Sequence, residues 1–250
     1  QYQEDAPLSK VLIRSMEAVD IFCDACWLED GLSKNTLSAY RQDLNIFSRW
    51  LDADRQKFIY DANAADVMAY IAHRRSDKAT TANRRLTVLR RFYRLGIRKN
   101  LIKADPCLNL RAAKQAPRFP KTLSESQVES LLAAPDLNTA LGVRDRTMLE
   151  LMYASGLRVS ELVGLSMQQI NLQHGLVRVT GKGQKERLVP MGEEAAHWLL
   201  RYLREARTLL LGGQALDVVF PSSRAQQMTR QTFWHRIKFY AKVAHIQAQL

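Results

Sequence analysis

A mainly α-helical protein with a small β component, divided into two domains, is what this sequence predicts, and three observations carry the prediction. Between residues 10 and 100 apolar side chains recur at spacings of three and four, the signature of amphipathic helices. Near the middle, the stretch 106–120 is rich in proline and basic residues and has no apolar period. Beyond it, helical patterns are interrupted by two short β-branched runs, GLVRVT and ERLVP, on either side of GKGQK. With 250 residues, 46% apolar and 25% charged, the chain can fill one large core or two ordinary ones, which excludes disorder as its main state. The expected organisation is a four-helix domain over 10–100, a linker over 101–122 and an α+β domain over 123–250.

The first helix spans 11–29 and stops at Asp30-Gly31. The second, 33–51, aligns Leu37, Tyr40, Leu44, Phe47 and Leu51 along one stripe. The third, 63–75, turns Val67, Tyr70 and Ile71 inward, and the fourth runs from 80 to 98. On a wheel of 3.6 residues per turn, Arg84, Arg90, Arg91, Arg94 and Arg98 fall within an arc of about 120°. Leu86, Leu89, Phe92, Tyr93 and Ile97 occupy mostly the other side. After the linker, SESQ at 124–127 reads as a capping box, with helices expected over 124–134 and 143–154. VSELVGL opens a short helix after Arg158. Residues 175–180 and 186–190 form a hairpin, 193–207 a helix, 217–221 a short strand, and Thr229 caps a last helix starting at Arg230. That last helix reaches AHIQAQL without a glycine or proline to close it, and the chain begins with Gln1, so both ends read as cut.

The charge is asymmetric. Residues 74–118 hold 14 Lys/Arg against only Asp77 and Asp105, while the rest of the chain is balanced, so the net +12 resides in this one segment. Arginines crowded on one helix face repel one another unless anions sit between them, which points to a polyanion, and nucleic acid backbone is the natural one. No apolar run spans a bilayer and no secretory signal opens the sequence; a soluble, cytoplasmic protein is expected. Cys23 and Cys26, in CDAC, and the distant Cys107 are expected as buried small apolar residues rather than a disulfide or zinc framework.

Several chemistries lose their support. GKGQKE lacks the spacing and following helix of a phosphate loop, and HExxH, GxSxG and GxGxxG are absent. His73, His174, His197, His235 and His245 are scattered. Two cations remain. Arg158 follows Ser-Gly-Leu and opens a helix anchored by Val159, Leu162 and Leu165, so its planar fork can meet a phosphate bidentately. Lys182, on a glycine-flanked hairpin tip, can reach into a groove and deliver a proton.

The words around these residues resemble the tyrosine site-specific recombinases of the phage integrase family, XerD type. NTLSAYRQDL (35–44), YASGLRVSELVGL (153–165), VTGKGQKERLVP (179–190) and FPSSRAQQMTRQTFWHRIKFYAKVAHI (220–246) carry the resemblance over nearly the whole chain. It implies an N-terminal core-binding (SAM-like) domain and a catalytic domain that together clamp duplex DNA, without metal or nucleotide cofactor. It also implies attack by a tyrosine hydroxyl, giving a 3′-phosphotyrosine and a free 5′-hydroxyl. Arg158 would grip the non-bridging phosphate oxygens and Lys182 would act as general acid toward the leaving 5′ oxygen. Arg84, Arg91, Arg94, Arg98, Lys185 and Arg230 are the expected DNA contacts. The implied partners are a XerC-type recombinase in a heterotetramer and a DNA translocase activator, and the implied role is resolution of chromosome dimers at cell division. The family's second box, His-x-Leu-Arg-His, is absent, and none of Tyr2, Tyr40, Tyr60, Tyr70, Tyr93, Tyr153, Tyr202 or Tyr240 lies in the nucleophile's motif. The catalytic domain is therefore expected to be C-terminally incomplete and the chain to bind DNA without cleaving it. Two other readings are a non-catalytic DNA-binding fragment and, on the basic helix alone, an RNA-binding helical module.

Overall fold

In the computed structural model, residues 8–112, 122–181 and 185–247 are described. The chain divides into two compact units, Gln1–Arg118 and Phe119–Leu250. The first contains α1 (Lys10–Asp30), α2 (Lys34–Arg55), α3 (Ala64–His73) and α4 (Ala79–Arg98), with a single 3-10 turn at Ile59–Asp61. Three of the four starts are set by a side chain that accepts an otherwise orphaned backbone N–H: Ser9 caps α1, Ser33 caps α2, and Asn63 with Asp66 forms a reciprocal capping box on α3, whereas α4 begins after Lys78 without a side-chain cap. Gly31, at φ 60°, ends α1 in the left-handed conformation that the Asp30-Gly31 stop implies.

Aromatic rings hold this unit together. Phe22 of α1 meets Phe92 of α4 edge-on at 5.3 Å, and Tyr60 stacks on the other side of Phe92 at 4.8 Å. Tyr93 is fully buried and donates to the Ile59 carbonyl at 2.8 Å, so its polar end is satisfied inside the core. Leu44, Phe47 and Leu51 of the expected α2 stripe are buried, as are Val67 and Tyr70 of α3. Ile71 and Ile97 are both 38% exposed and do not join the core as expected. Each sits at the margin of its apolar arc. All three cysteines are free and buried. Burial pushes the Cys23 thiol up to about 11 and the Cys107 thiol up to about 12, which makes both inert. Cys107 is wholly buried and Leu110 packs against the same core, while the Leu110 carbonyl takes a bond from Arg90. The proline-rich stretch thus starts as packed structure of the first unit, with Cys107 and Leu110 joined to its core.

The second unit is built around α6 (Ala140–Ser155), which packs against α8 (Gly192–Glu205). Around this pair lie α5 (Glu125–Ala133), α7 (Val159–Val163), α9 (Arg207–Leu211) and α10 (Arg230–Val243). Ser124 and Gln127 form the expected capping box on α5, and Thr139 caps α6 three residues ahead of the expected start. A three-stranded antiparallel sheet runs in the order β1 (Ile170–Asn171), β2 (Leu176–Thr180), β3 (Glu186–Pro190). In the hairpin, Val177 pairs with Val189, Arg178 with Leu188 and Val179 with Arg187. Val177 and Val179 face the core, which puts Arg187 and Val189 on the inner side too.

The segment 217–221 is not a strand. It makes only isolated bridges, Ser166 with Val218 and Pro221 with Gln227. Its backbone meets 165–167 at two bonds, Met167 N–H to Asp217 O at 2.9 Å and Val219 N–H to Leu165 O at 2.8 Å, and Arg207 donates to the Val218 and Val219 carbonyls and to Leu216 just before them. A guanidinium takes the carbonyls that a longer partner strand would take. The last helix does have a closing element without glycine, since His245 adopts φ 55° and Ile246 N–H bonds back to Ala241 O at 2.8 Å. Beneath this helix lies a buried ionic knot. Asp145, fully buried, accepts from Arg144 through Oδ1 at 2.6 and 2.9 Å, and from Arg236 at 2.7 Å and the Tyr240 hydroxyl at 2.6 Å through Oδ2. It ties α6 to α10.

Candidate active site and nucleic-acid interface

In the second unit, α6 ends at Gly156, whose φ of 62° turns the chain and returns its N–H to Met152 O. Leu157 then drops into the core, and Arg158, in extended conformation, becomes the N-cap of α7. With Leu162, Val163 and Leu165 buried beneath it, Arg158 projects outward with 72% of its side chain exposed. Its setting is a carboxylate that sequence reasoning missed. Glu161 Oε2 accepts the Arg158 backbone N–H at 2.8 Å, and Oε1 accepts one guanidinium bond from Arg158 at 3.1 Å. The same two oxygens receive Arg187 bidentately, at 3.0 and 2.9 Å. Arg187 is the main reason that the Glu161 carboxyl is lowered to about 2, with the bonds from Arg158 adding to it against the opposing effect of burial. Arg187 belongs to β3, and the residue before it, Glu186, closes the hairpin against Thr180.

One carboxylate therefore links the segment that carries Arg158 to the hairpin that carries the second candidate cation. The Gly181 N–H bonds to Lys185 O at 2.8 Å, which narrows the tip. Lys182 itself lies outside the described residues. Lys185 and Arg230, the first residue of α10, are exposed and make no ion pair among the described residues. Beside Glu161, residues Ser160, Gly164, Gln169, Val179 and Thr180 line an open cleft of about 260 Å³.

In the first unit, the arginine face of α4 is not the row of uncompensated charge that the helix wheel implies. Arg84 grips Asp43 of α2 bidentately at 2.9 and 2.8 Å. Arg91 pairs with Asp30 at 2.6 Å and lies over the Tyr40 ring, and Arg98 pairs with Glu29. Arg90 is turned to the Leu110 carbonyl. Of the five, Arg94 alone is exposed with no acidic partner among the described residues. The repulsion argument for an external anion is thus answered from within, by carboxylates that α1 and α2 supply. Between the C-terminal halves of α1 and α4, Arg91, Arg94 and Arg98 rim a depression of about 220 Å³ over Phe22 and Cys26.

The tyrosines are informative by their settings. Tyr93, Tyr202 and Tyr240 are buried and spend their hydroxyls on Ile59 O, Val219 O and Asp145, and burial raises all three phenols. Tyr70 is buried as well, whereas Tyr153 is 63% exposed. No group of His, Cys, Asp and Glu that could hold a metal occurs among the described residues, and no helix described is long and apolar enough to cross a membrane.

Comparison with known proteins adds the following. Residues 121–250 match the phage integrase family, and residues 19–100 match the phage integrase N-terminal SAM-like domain. A protein of Ralstonia nicotianae named tyrosine recombinase XerD is 55% identical over 238 residues, 94% of this chain and 77% of the relative. A protein of the same name from Pseudomonas aeruginosa is 54% identical, over 91% of this chain and 77% of its own. Among solved structures, XerH site-specific recombinase bound to palindromic difH substrate superposes with a TM-score of 0.71 at 14% identity, covering 94% of this chain and 69% of that one. A lambda integrase tetramer bound to a Holliday junction gives 0.70 at 18% identity, covering 98% and 69%. These two likenesses establish the shared fold.

Proposed function

The chain belongs to the phage integrase family of tyrosine site-specific recombinases, and from that membership we propose that its second unit works on the DNA backbone with Arg158 and Lys182. The observation that carries the reading is the exposed Arg158 fork, whose backbone N–H is held by the Glu161 carboxylate that also binds Arg187 of the lysine hairpin. Arg158 grips the non-bridging oxygens of the scissile phosphate, where charge grows as the phosphorus becomes pentacoordinate, and Lys182 protonates the departing 5′ oxygen. Neither step needs a metal or a nucleotide, since the phosphotyrosine keeps the bond energy of the cleaved phosphodiester.

Duplex DNA is the proposed partner, held by Arg91, Arg94, Arg98, Lys185 and Arg230, with Arg84, expected among them, committed instead to the buried Asp43. The concentration of net charge in 74–118 and the DNA-bound state of XerH and lambda integrase support it. In keeping with relatives named XerD, the proposed role is resolution of chromosome dimers in the cytoplasm, with a XerC-type recombinase in a heterotetramer and a DNA translocase as activator. No tyrosine of these 250 residues is assigned as nucleophile. A DNA-binding piece that does not cleave is the alternative, favoured by the engaged hydroxyls of Tyr93, Tyr202 and Tyr240.

The test uses the product of the complete gene and a suicide duplex with a 5′-bridging phosphorothiolate, whose thiolate leaves without a proton. Lys182→Ala should lose cleavage of ordinary DNA and recover most of it on the sulfur substrate. Arg158→Ala should bind nearly normally and recover far less. Equal rescue of both, or of neither, removes Lys182 as the acid.

A further inference from the structure

Glu161 has two oxygens and four donors. Arg187 uses both of its terminal nitrogens on them, at 3.0 and 2.9 Å, in the fork-to-fork arrangement that is hard to displace. The Arg158 guanidinium contributes a single bond, at 3.1 Å, from a side chain 72% exposed, against 39% for Arg187. The Arg158 backbone N–H supplies the fourth, at 2.8 Å. The rest of the Arg158 fork has no partner among the described residues. The carboxylate is thus held chiefly by Arg187 and by a backbone amide, and the guanidinium of Arg158 is its weakest ligand. Position adds to this. In the hairpin register Arg187 pairs with Val179, on the inner face of the sheet, which directs its side chain to the carboxylate of Glu161.

We propose that Arg187 is a positioning residue for the phosphate-gripping arginine: it occupies Glu161 so fully that the carboxylate orients Arg158 through the backbone without sequestering its guanidinium from DNA. The inference rests on the reading of Arg158 as a phosphate ligand and adds a residue that acts through another. Without Arg187, Glu161 keeps its negative charge with Arg158 as the remaining side-chain partner, so Arg158 swings inward and a phosphate must compete with a carboxylate beside it. Arg187 touches no DNA in this scheme. The effect of its loss depends entirely on the charge of Glu161.

That dependence is what the experiment reads. The probe is a random-sequence DNA duplex, and the quantity is the factor by which Arg158→Ala weakens duplex binding, measured in four backgrounds: unchanged, Arg187→Ala, Glu161→Gln and the two together. In the unchanged background Arg158→Ala should cost a measurable factor. With Arg187→Ala in place that factor should shrink by roughly five-fold, within the coupling expected of touching charged residues. Adding Glu161→Gln to Arg187→Ala should restore it, and Arg187→Lys should restore it in part. Carbon-13 NMR of the Glu161 carboxyl supplies a readout that loss of packing does not mimic: its midpoint should rise from about 2 toward the ordinary 4.5 in Arg187→Ala. Thermal melting of each variant sets apart simple unfolding, which Glu161→Gln would relieve by removing the unpaired charge. A shrinkage that persists in the double variant, or an unmoved Glu161 midpoint, overturns the proposal while leaving Arg158 as a phosphate ligand. No effect of Arg158→Ala in the unchanged background overturns both.

Discussion

Replacing Asp145 by alanine removes four hydrogen bonds at once from a fully buried side chain. The side chain is 0% exposed, and Arg144, which gives it two bonds at 2.6 and 2.9 Å, is itself only 3% exposed. After the substitution Arg144 keeps a single acceptor, the Pro221 carbonyl at 2.8 Å, for a full positive charge in the interior. Breaking a buried pair from one side costs about 3–5 kcal/mol, because the remaining charge stays desolvated and unpaired. Arg236, 34% exposed, can turn toward solvent and adds little to that figure. The expected outcome is a loss of about 4 kcal/mol in urea unfolding of the second unit and a fall in Tm on the order of 10 °C. Hydrogen exchange by mass spectrometry should show α6 and α10 opening while α1 to α4 keep their protection, since the knot lies wholly within the second unit. The paired replacement Arg144→Met with Asp145→Leu removes the charge as well as the bonds and should cost less than about 2 kcal/mol. If Asp145→Ala costs under about 1 kcal/mol, or no more than the paired replacement, the reasoning from unpaired charge is refuted.

Three further outcomes follow from the charged sites. The Glu161 carboxyl is depressed from 4.5 to about 2, so the stability it contributes is fully present above 4.5 and is lost as pH falls through about 2. The stability gap between the protein and Glu161→Gln, followed by urea unfolding, should be flat above about pH 5 and close between 4.5 and 2; a gap that widens in acid would contradict the ion pairs. On the arginine face, Arg94→Ala should leave stability unchanged yet reduce the salt slope of duplex binding by about 1, the value of one phosphate contact. Arg84→Ala should instead destabilise the first unit by about 1–3 kcal/mol, because it strips a bidentate partner from the buried Asp43.

The helices were legible where a cap and an apolar period coincide: Ser33 before the Leu44–Phe47–Leu51 stripe, Asn63 before Val67 and Tyr70, Thr229 before Phe233 and Ile237. The segment 217–221 misled because β-branched residues signal a wish for burial, and Val219 and Phe220 are indeed buried, but the Val218 and Val219 carbonyls are met by the Arg207 guanidinium and only a single bridge forms to 165–167. No local pattern announces a pairing across ten residues between a helix and a loop. Glu161 and Arg187 were missed for a related reason. A capping-box search looks for Ser, Thr, Asp or Asn three residues before the acid, and here the N-cap is Arg158, whose guanidinium cannot accept an N–H and instead donates to Glu161 beside its own backbone N–H. A signal existed all the same. The alternation of ERLVP places Arg187 with Val189 on the core side of the hairpin, and a charged residue there calls for an acidic partner.

The arginine face shows why a wheel overstates what a row of like charges demands. Helical periodicity gives the direction of Arg84, Arg91, Arg94 and Arg98, but not what the neighbouring helices bring to meet them, since Asp43, Asp30 and Glu29 are 41, 61 and 69 residues away in sequence. The pairs differ in how firmly they hold. Asp30 and Glu29 are 46% and 41% exposed, and exposed pairs are worth about 0–1 kcal/mol, so Arg91 and Arg98 can exchange a carboxylate for another anion at small cost. Asp43 is 3% exposed and gripped at two points, so Arg84 is bound to the fold first. The same four residues that look equivalent on the wheel are therefore three kinds of cation: one unpaired, two exchangeable and one structural. The pattern in the active-site candidate is parallel. Arg158 holds its carboxylate by one exposed bond and Arg187 by two inner ones, so in both units the arginine best able to meet a phosphate is the one whose own acid is bound more firmly elsewhere, or is absent.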